Sequence, residues 1–374
     1  MSLLPDATSF KRLVDGSAGG LTAGALRGLL GALAAPYAAA VRSRNRAYDL
    51  GLLPIHACGA PVICIGNLSL GGTGKTPLVA WAARQLASLG MRPTIVSRGY
   101  GARRGEISDE AAELGLLAPG VPHLADPDRV AAARRAAAAG AEVIVLDDGF
   151  QHRRLARDLD IVAVDATDPF GCGFLVPRGL LREPLDGLAR ADAVVLTRCT
   201  LVDPARRADI RDALARHAGG LPPVWAEATH RPVGLRQAGG QTEPLDSLRG
   251  RRIVACAGIG NPAAFHRSLA VTGADVAAFR AFPDHHAYSP GDLNELGVWA
   301  AREQATMLVT TLKDLVKIRR DNLAGIPVAA VEIAIAFTAG GDDLAELVAS
   351  VAPSAAISSS RGGACASADE ENTF

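Results

Sequence analysis

The chain has 374 residues, 49% of them hydrophobic, and a formal net charge of zero. That length accommodates two domains, each with a core, and a neutral chain argues against a nucleic-acid binder that relies on a broad basic surface. The six cysteines show no C-x-x-C pair and no zinc-ligand spacing, and read as small buried residues in a reducing cytoplasm.

The first element in chain order is Leu21 to Val41, rich in Leu, Ala and Gly, with Arg27 as its only charge. As a helix it measures about 31 Å, close to the hydrocarbon thickness of a bilayer. Leu26, Leu29, Leu30, Leu33 and Tyr37 recur at helical spacing and form a one-sided apolar stripe, which suits a helix lying in the interface as well as one that spans. Arg42, Arg44 and Arg46 follow at once, placing positive charge where anionic headgroups hold it. The stretch is expected to contact the membrane; the plainer alternative is a helix packed on its own domain. No small-residue cleavage site follows a short apolar core, so it is not read as a cleavable signal.

The rest of the chain is organised around the stretch Pro61 to Pro77. Val62 to Ile65 is a short apolar run, Gly71, Gly72 and Gly74 lead into Lys75-Thr76, and Leu78 to Leu89 is compatible with a helix. Buried strand, glycine loop, helix is the order that a phosphate-binding loop requires. Along Ser69, Leu70, Gly71, Gly72, Thr73 and Gly74 the backbone N–H groups turn inward around phosphate oxygens, and the helix N-terminus adds partial positive charge. Lys75 reaches the β- and γ-phosphates, and Thr76 offers its hydroxyl to Mg2+. The strict G-x-x-x-x-G-K-[ST] pattern has glycine where this chain has Ser69. An ordinary glycine-rich turn is the competing reading, but the strand, the three glycines, Lys-Thr and the helix coincide, so a nucleoside triphosphate site is expected.

Pro93 to Val96 reads as a second strand, ending in Ser97-Arg98-Gly99-Tyr100. Asp109-Glu110 lies in the loop beyond, and Asp128-Arg129 heads an alanine-rich helix that runs to Ala139. Val143 to Leu146 ends in Asp147-Asp148, the Walker B arrangement of a strand capped by a carboxylate beside the phosphate loop. Ile161 to Val164 and Ala193 to Leu196 add strands, and the alternation predicts a doubly wound, mainly parallel α/β sheet. Proline and glycine collect from Gly219 to Gly240, a plausible domain junction. A smaller α/β alternation comes next, with strands at Ile253 to Ala257, Met307 to Thr310 and Val328 to Ile333, and without a G-x-G-x-x-G fingerprint. The predicted organisation is an N-terminal helix with a basic flank (1–50), a P-loop domain (51–220), a second, smaller α/β domain (221–352) and a disordered tail (353–374).

Phosphoryl transfer from ATP to an alcohol needs a triphosphate cradle, Mg2+, a base for the hydroxyl and positive charge for the moving phosphoryl group. Asp109, Glu110 and His285 are candidates for the base, and Arg98, Arg129 and Arg182 for the charge; spacing alone does not choose among them. A lone loop Asp is more often a turn former or helix cap, and an Asp-His-His run more often a solvated loop. His285-His286 is a poor zinc pair, because adjacent residues rarely converge on one ion.

The run Gly66 to Pro77, with Ser97-Arg98-Gly99-Tyr100, Asp109-Glu110, Asp147-Asp148-Gly149-Phe150-Gln151-His152 and Arg182-Glu183-Pro184, closely resembles the tetraacyldisaccharide 4'-kinase family, the membrane-associated lipid A kinases of Gram-negative bacteria. The likeness continues through Gly258-Ile259-Gly260-Asn261-Pro262, Asp284-His285 and Lys313-Asp314, and Ser69 is itself a feature of that family. The resemblance implies transfer of the γ-phosphate of ATP to the 4'-hydroxyl of a tetraacylated glucosamine disaccharide 1-phosphate, at the cytoplasmic face of the inner membrane and against its lipids. It further implies that Asp109 is the base, paired with His285, and that Asp147 is the Mg2+ carboxylate, with Asp148, Arg129, Arg182 and Glu183 supporting. Among these, the resemblance points to Asp148 and Glu183 as further metal ligands, and to Arg129 and Arg182 as nucleotide contacts. Four positions depart from the family pattern: Ser108 and Ala111 stand where Gly and Pro are usual, Cys172 replaces an Asn, and Leu312 a Glu. The alternative reading is a membrane-anchored P-loop switch ATPase that positions protein partners, but those loops carry a second lysine where this chain has Leu70. No pattern in the chain points to a particular oligomer or to nucleic acid.

Overall fold

The computed structural model describes residues 7–99, 108–284 and 286–351. His285, Tyr100 and the tail beyond 353 lie outside the described residues. The chain opens with α1 (Ala7–Val14) and α2 (Leu21–Asp49), then β1 (Val62–Gly66), α3 (Lys75–Ser88), β2 (Pro93–Ser97), α4 (Asp109–Leu117) and β3 (His123–Ala125). Next come α5 (Arg129–Ala138), β4 (Val143–Asp147), β5 (Leu159–Asp165), β6 (Ala193–Thr197), α6 (Pro204–Ala218), β7 (Val224–Arg236) and β8 (Thr242–Pro244). The remainder is β9 (Arg252–Ala257), α7 (Pro262–Leu269), β10 (Asp275–Ala281), α8 (Pro290–Arg302), β11 (Met307–Thr311), α9 (Leu312–Ile318), β12 (Asn322–Leu323), β13 (Ile326–Ala339) and α10 (Gly341–Ala349).

The strands form a continuous sheet in the order β10-β9-β11-β13-β7-β6-β5-β1-β4-β2-β3. Every residue of β1, β2, β4, β5 and β6 is buried, as expected of parallel strands covered on both faces by helices. The sheet is parallel except where β7 meets β13, and where the short strands β8 and β12 pair with them. The doubly wound, mainly parallel α/β architecture is therefore as expected from the alternation of strands and helices.

The junction differs from the expectation. The Pro- and Gly-rich stretch after residue 220 is largely β7, which pairs in parallel with β6 at its start and antiparallel with β13 along its length. Pro232 is tolerated because it sits beside a register shift opposite Glu332 and Ile333, where the ladder is already broken. On one face of the sheet a single apolar core runs through both halves, from Ile63 and Leu86 to Val254 and Leu308. The other face carries two separate cores, one around Phe150 and Leu196 and one around Phe265 and Val309. α10, the last described helix, returns to pack on α3 and β7.

The apolar N-terminal stretch is a helix, and it runs on to Asp49, helped by the good helix formers Arg42, Arg44, Arg46 and Ala47. By length and composition α2 is able to cross a membrane, with a mean hydropathy of 1.3 over its most apolar window. Leu21, Leu26, Leu29 and Leu33 are exposed, Leu21 by 94%. Tyr37 leaves the expected stripe: it is half-buried and its hydroxyl donates to the Arg182 carbonyl at 2.7 Å.

Candidate active site

β1 lies between β5 and β4, so the loop at its C-terminal end opens where the crossovers diverge to either side, the usual place for a ligand on such a sheet. Position 66, the last of the strand, must be glycine, because a Cβ there would lie 2.6 Å from that of Phe150. Gly74, at φ 76°, turns the chain into α3 in a backbone conformation that side-chain-bearing residues rarely adopt. Ser69 to Gly74 form the loop, and Lys75 and Thr76 open the helix. Segment 180–182 straps the loop from outside: the Leu70 N–H donates to the Leu180 carbonyl and the Arg182 N–H to the Leu68 carbonyl, both at 2.7 Å. Thr197 donates its hydroxyl to the Thr73 carbonyl at 2.7 Å.

Asn67, which the sequence reading did not single out, is the hub. It is buried, and its Oδ1 accepts from Lys75 Nζ at 3.0 Å and from Arg182 at 3.1 Å. Lys75 also pairs with Asp148 at 3.1 Å. Asp148 is held by both terminal nitrogens of Arg182, at 2.6 and 2.8 Å, and Arg129 donates to its backbone carbonyl at 2.8 Å. Burial opposes ionisation of Asp148, but the Arg182 hydrogen bonds and the Lys75 charge outweigh it and hold the carboxyl well below the usual carboxylate range. Two cations sharing one carboxylate leave positive charge at the loop that is able to turn toward a phosphate.

Asp147 ends β4 in register with Ile65 of β1, at the mouth of the loop. It is 6% exposed, and burial pushes its pKa up to about 7 against the pull of Lys75. A buried carboxylate of this kind is stabilised by a cation, and with the Thr76 hydroxyl it offers the hard oxygen donors that Mg2+ takes alongside phosphate oxygens. Among the described residues no group of three or more His, Cys, Asp or Glu is arranged to hold a metal unaided.

Glu183, expected as a metal ligand, has a different task. It is fully buried, and its two oxygens accept from Gln151 at 2.9 Å, Asn45 at 3.0 Å and Arg190 at 2.9 Å. Gly187 is required beside it, since a Cβ there would sit 2.8 Å from Glu183 Oε2. With both oxygens engaged inside the protein, Glu183 is an internal anchor.

Asp109 and Glu110 are half-buried in the first turn of α4. Two departures from the family pattern turn out to be one device: the Ser108 hydroxyl caps α4 by accepting the Ala111 N–H at 3.2 Å, and a proline at 111 would have no N–H to give. α4 packs on α9, whose Lys313 pairs with Asp284 at 3.1 Å. The second half of the chain thus meets the Asp109 helix through α9. Leu312, where the family has Glu, is buried in the shared core. Cys172 holds a left-handed conformation at φ 60°, which the family's Asn adopts more readily. Arg98 is exposed, whereas Arg129 and Arg182 line the loop. Sequence reasoning also missed Gln151, which donates to the Asn67 carbonyl and to Glu183, although both Asn67 and Gln151 stand inside the motifs already singled out.

A family profile described as tetraacyldisaccharide-1-P 4'-kinase matches residues 26–352. A tetraacyldisaccharide 4'-kinase of Anaeromyxobacter dehalogenans (strain 2CP-C) is 46% identical over 321 residues, covering 78% of this chain and 83% of the relative. The protein of the same name from Geobacter metallireducens is 41% identical over 308 residues, covering 78% and 88%. Among solved structures, the "apo" form of LpxK from Aquifex aeolicus in complex with ATP superposes with a TM-score of 0.71 at 29% identity, covering 88% of this chain and all of that one.

Proposed function

Because this chain belongs to the tetraacyldisaccharide-1-phosphate 4'-kinase family, we infer that it moves the γ-phosphate of ATP to the 4'-hydroxyl of a tetraacylated glucosamine disaccharide 1-phosphate, in lipid A biosynthesis. The observation that carries the reading is the Lys75–Asp148–Arg182 cluster beside a buried Asp147 at the mouth of a strand–loop–helix phosphate cradle. ATP is the donor, its triphosphate wrapped by the backbone from Ser69 to Thr76. Thr76 and Asp147 would hold Mg2+, which would supply charge neutralisation for the triphosphate. Lys75 and Arg182 exchange Asp148 for phosphate when the triphosphate enters, and Arg129, bound to the Asp148 backbone carbonyl, holds that turn in place behind them. Asp109 takes the proton from the sugar hydroxyl as the phosphoryl group moves, and His285 orients that carboxylate. The work is done at the cytoplasmic face of the inner membrane, with the exposed leucines of α2 in its lipids. Membership of a kinase family disfavours the switch-ATPase alternative.

The test is a double-mutant cycle with Asp109→Ala, His285→Ala and the pair, following phosphorylation of the lipid at saturating ATP. Residues acting as one unit lose together what each loses alone, so the pair should be hardly worse than either single variant. Additive losses would mean independent roles and would end the base–orienter assignment.

A further inference from the structure

We propose that Tyr37 and Asn45 of α2 are positioning residues for the Arg182–Asp148–Lys75 cluster, so that the C-terminal half of the helix is part of the active-site scaffold as well as a continuation of the membrane anchor. The inference rests on the kinase reading above and adds to it a role for two side chains that touch no reacting atom.

α2 divides into two stretches with different surroundings. Between Leu21 and Leu33 it exposes Leu21, Leu26, Leu29 and Leu33, whereas Ala38 and Val41 are buried and Tyr37 and Asn45 half-buried against the kinase body. The docked stretch is fixed at both edges of one short segment. The Tyr37 hydroxyl donates to the Arg182 carbonyl at 2.7 Å, and Asn45 Nδ2 donates to Glu183 Oε2 at 3.0 Å. Arg153, just past the β4 loop, clamps the same stretch by donating to the Asn45 carbonyl at 3.0 Å and pairing with Asp49 at 2.8 Å.

From that segment the connections lead directly into the site. The Arg182 guanidinium holds Asp148 with two bonds and Asn67 with a third. Glu183, with no exposed surface, is tied through Gln151 to the Asn67 carbonyl, and Asn67 also accepts from Lys75. A carboxylate as buried as Glu183 must have its lone pairs matched, so losing the Asn45 donor leaves a buried charge short of a partner and loosens the segment that aims Arg182. A misaimed guanidinium costs transition-state stabilisation and little ground-state binding, because the charge it meets develops during transfer.

The experiment uses the full chain with Tyr37→Phe and Asn45→Ala, assayed for γ-phosphate transfer to the disaccharide lipid, with flotation on phosphatidylethanolamine–phosphatidylglycerol vesicles and thermal melting in parallel. Each variant should lower kcat about three- to tenfold, the range set by one hydrogen bond, with KM for either substrate within about twofold and vesicle flotation unchanged. In an Arg182→Ala background, Tyr37→Phe should change kcat no further. Unchanged kcat in both variants, or a Tyr37→Phe loss that persists in the Arg182→Ala background, would overturn the inference, as would a loss matched by loss of flotation. If Asn45→Ala does not fold, Tyr37→Phe, which deletes a single oxygen, decides alone. A parent protein that transfers nothing would instead overturn the kinase reading itself.

Discussion

Replacing Lys75 by Ala separates the catalytic demand on the site from its structural demand. In the resting structure the ammonium lies 3.0 Å from Asn67 Oδ1 and 3.1 Å from Asp148 Oδ1. Removing it does not strand Asp148, because Arg182 still meets both carboxylate oxygens. The Asp148 side chain is 35% exposed, so water screens much of the lost attraction, and the cost to stability should be about 1 kcal/mol or less. Catalysis has no such substitute. A preorganised charge aimed at the transferring group contributes about 2.7 to 4 kcal/mol to the transition state, or roughly 10²- to 10³-fold in turnover. The assay is label transfer from γ-labelled ATP to the disaccharide 1-phosphate lipid at saturating substrates, beside a thermal melt. Turnover within tenfold of the parent, in a folded protein, would refute the assignment of Lys75; a collapse of the fold would refute the claim that Arg182 suffices to hold Asp148.

Changing Leu26, Leu29 and Leu33 together to Ser should release the protein from vesicles while leaving the melt within a few degrees, since these side chains are exposed; retention on vesicles would assign the anchoring to another surface. Deleting the whole helix is a poorer test, because it also removes Tyr37 and Asn45 from the strap behind the loop. Glu113 of α4 gives a pH prediction. Burial raises its pKa to about 7 against the attraction of Lys313, so its contribution to stability is complete below about pH 4.5 and lost as pH rises through 7. Because the residue is half-exposed, solvent reduces that contribution to about 1 kcal/mol. Denaturation midpoints of the parent should fall between pH 5 and 8 more steeply than those of Glu113→Gln; equal slopes would show that Glu113 titrates normally.

How legible each element is in the chain depends on how local its signal is. Val62 to Ile65, Val143 to Leu146 and Ala193 to Leu196 read as strands because both their faces are buried, which leaves an unbroken apolar run. β7 is hidden because it is only partly buried and carries Pro232 and Gly234, residues that signal a junction unless a register shift accommodates them. Lys75, Thr76 and Asp147 are recognisable because strand ends and a glycine loop fix their place in the sheet. Glu183 shows the limit: a carboxylate next to Arg182 reads equally well as ligand or anchor until Asn45, a distant residue of α2, is seen to donate to it. Spacing alone assigns Tyr37 to the lipid stripe, and only the fold brings it to Arg182.

One measurement tests the kinase reading most directly: whether purified protein moves label from γ-labelled ATP into the tetraacylated disaccharide 1-phosphate. The kinase reading predicts that label appears in the lipid at the 4'-position in step with ADP, and that it disappears in Lys75→Ala. Release of labelled inorganic phosphate with no label in the lipid would contradict it, and would mean that the cradle around Lys75 serves hydrolysis instead of transfer.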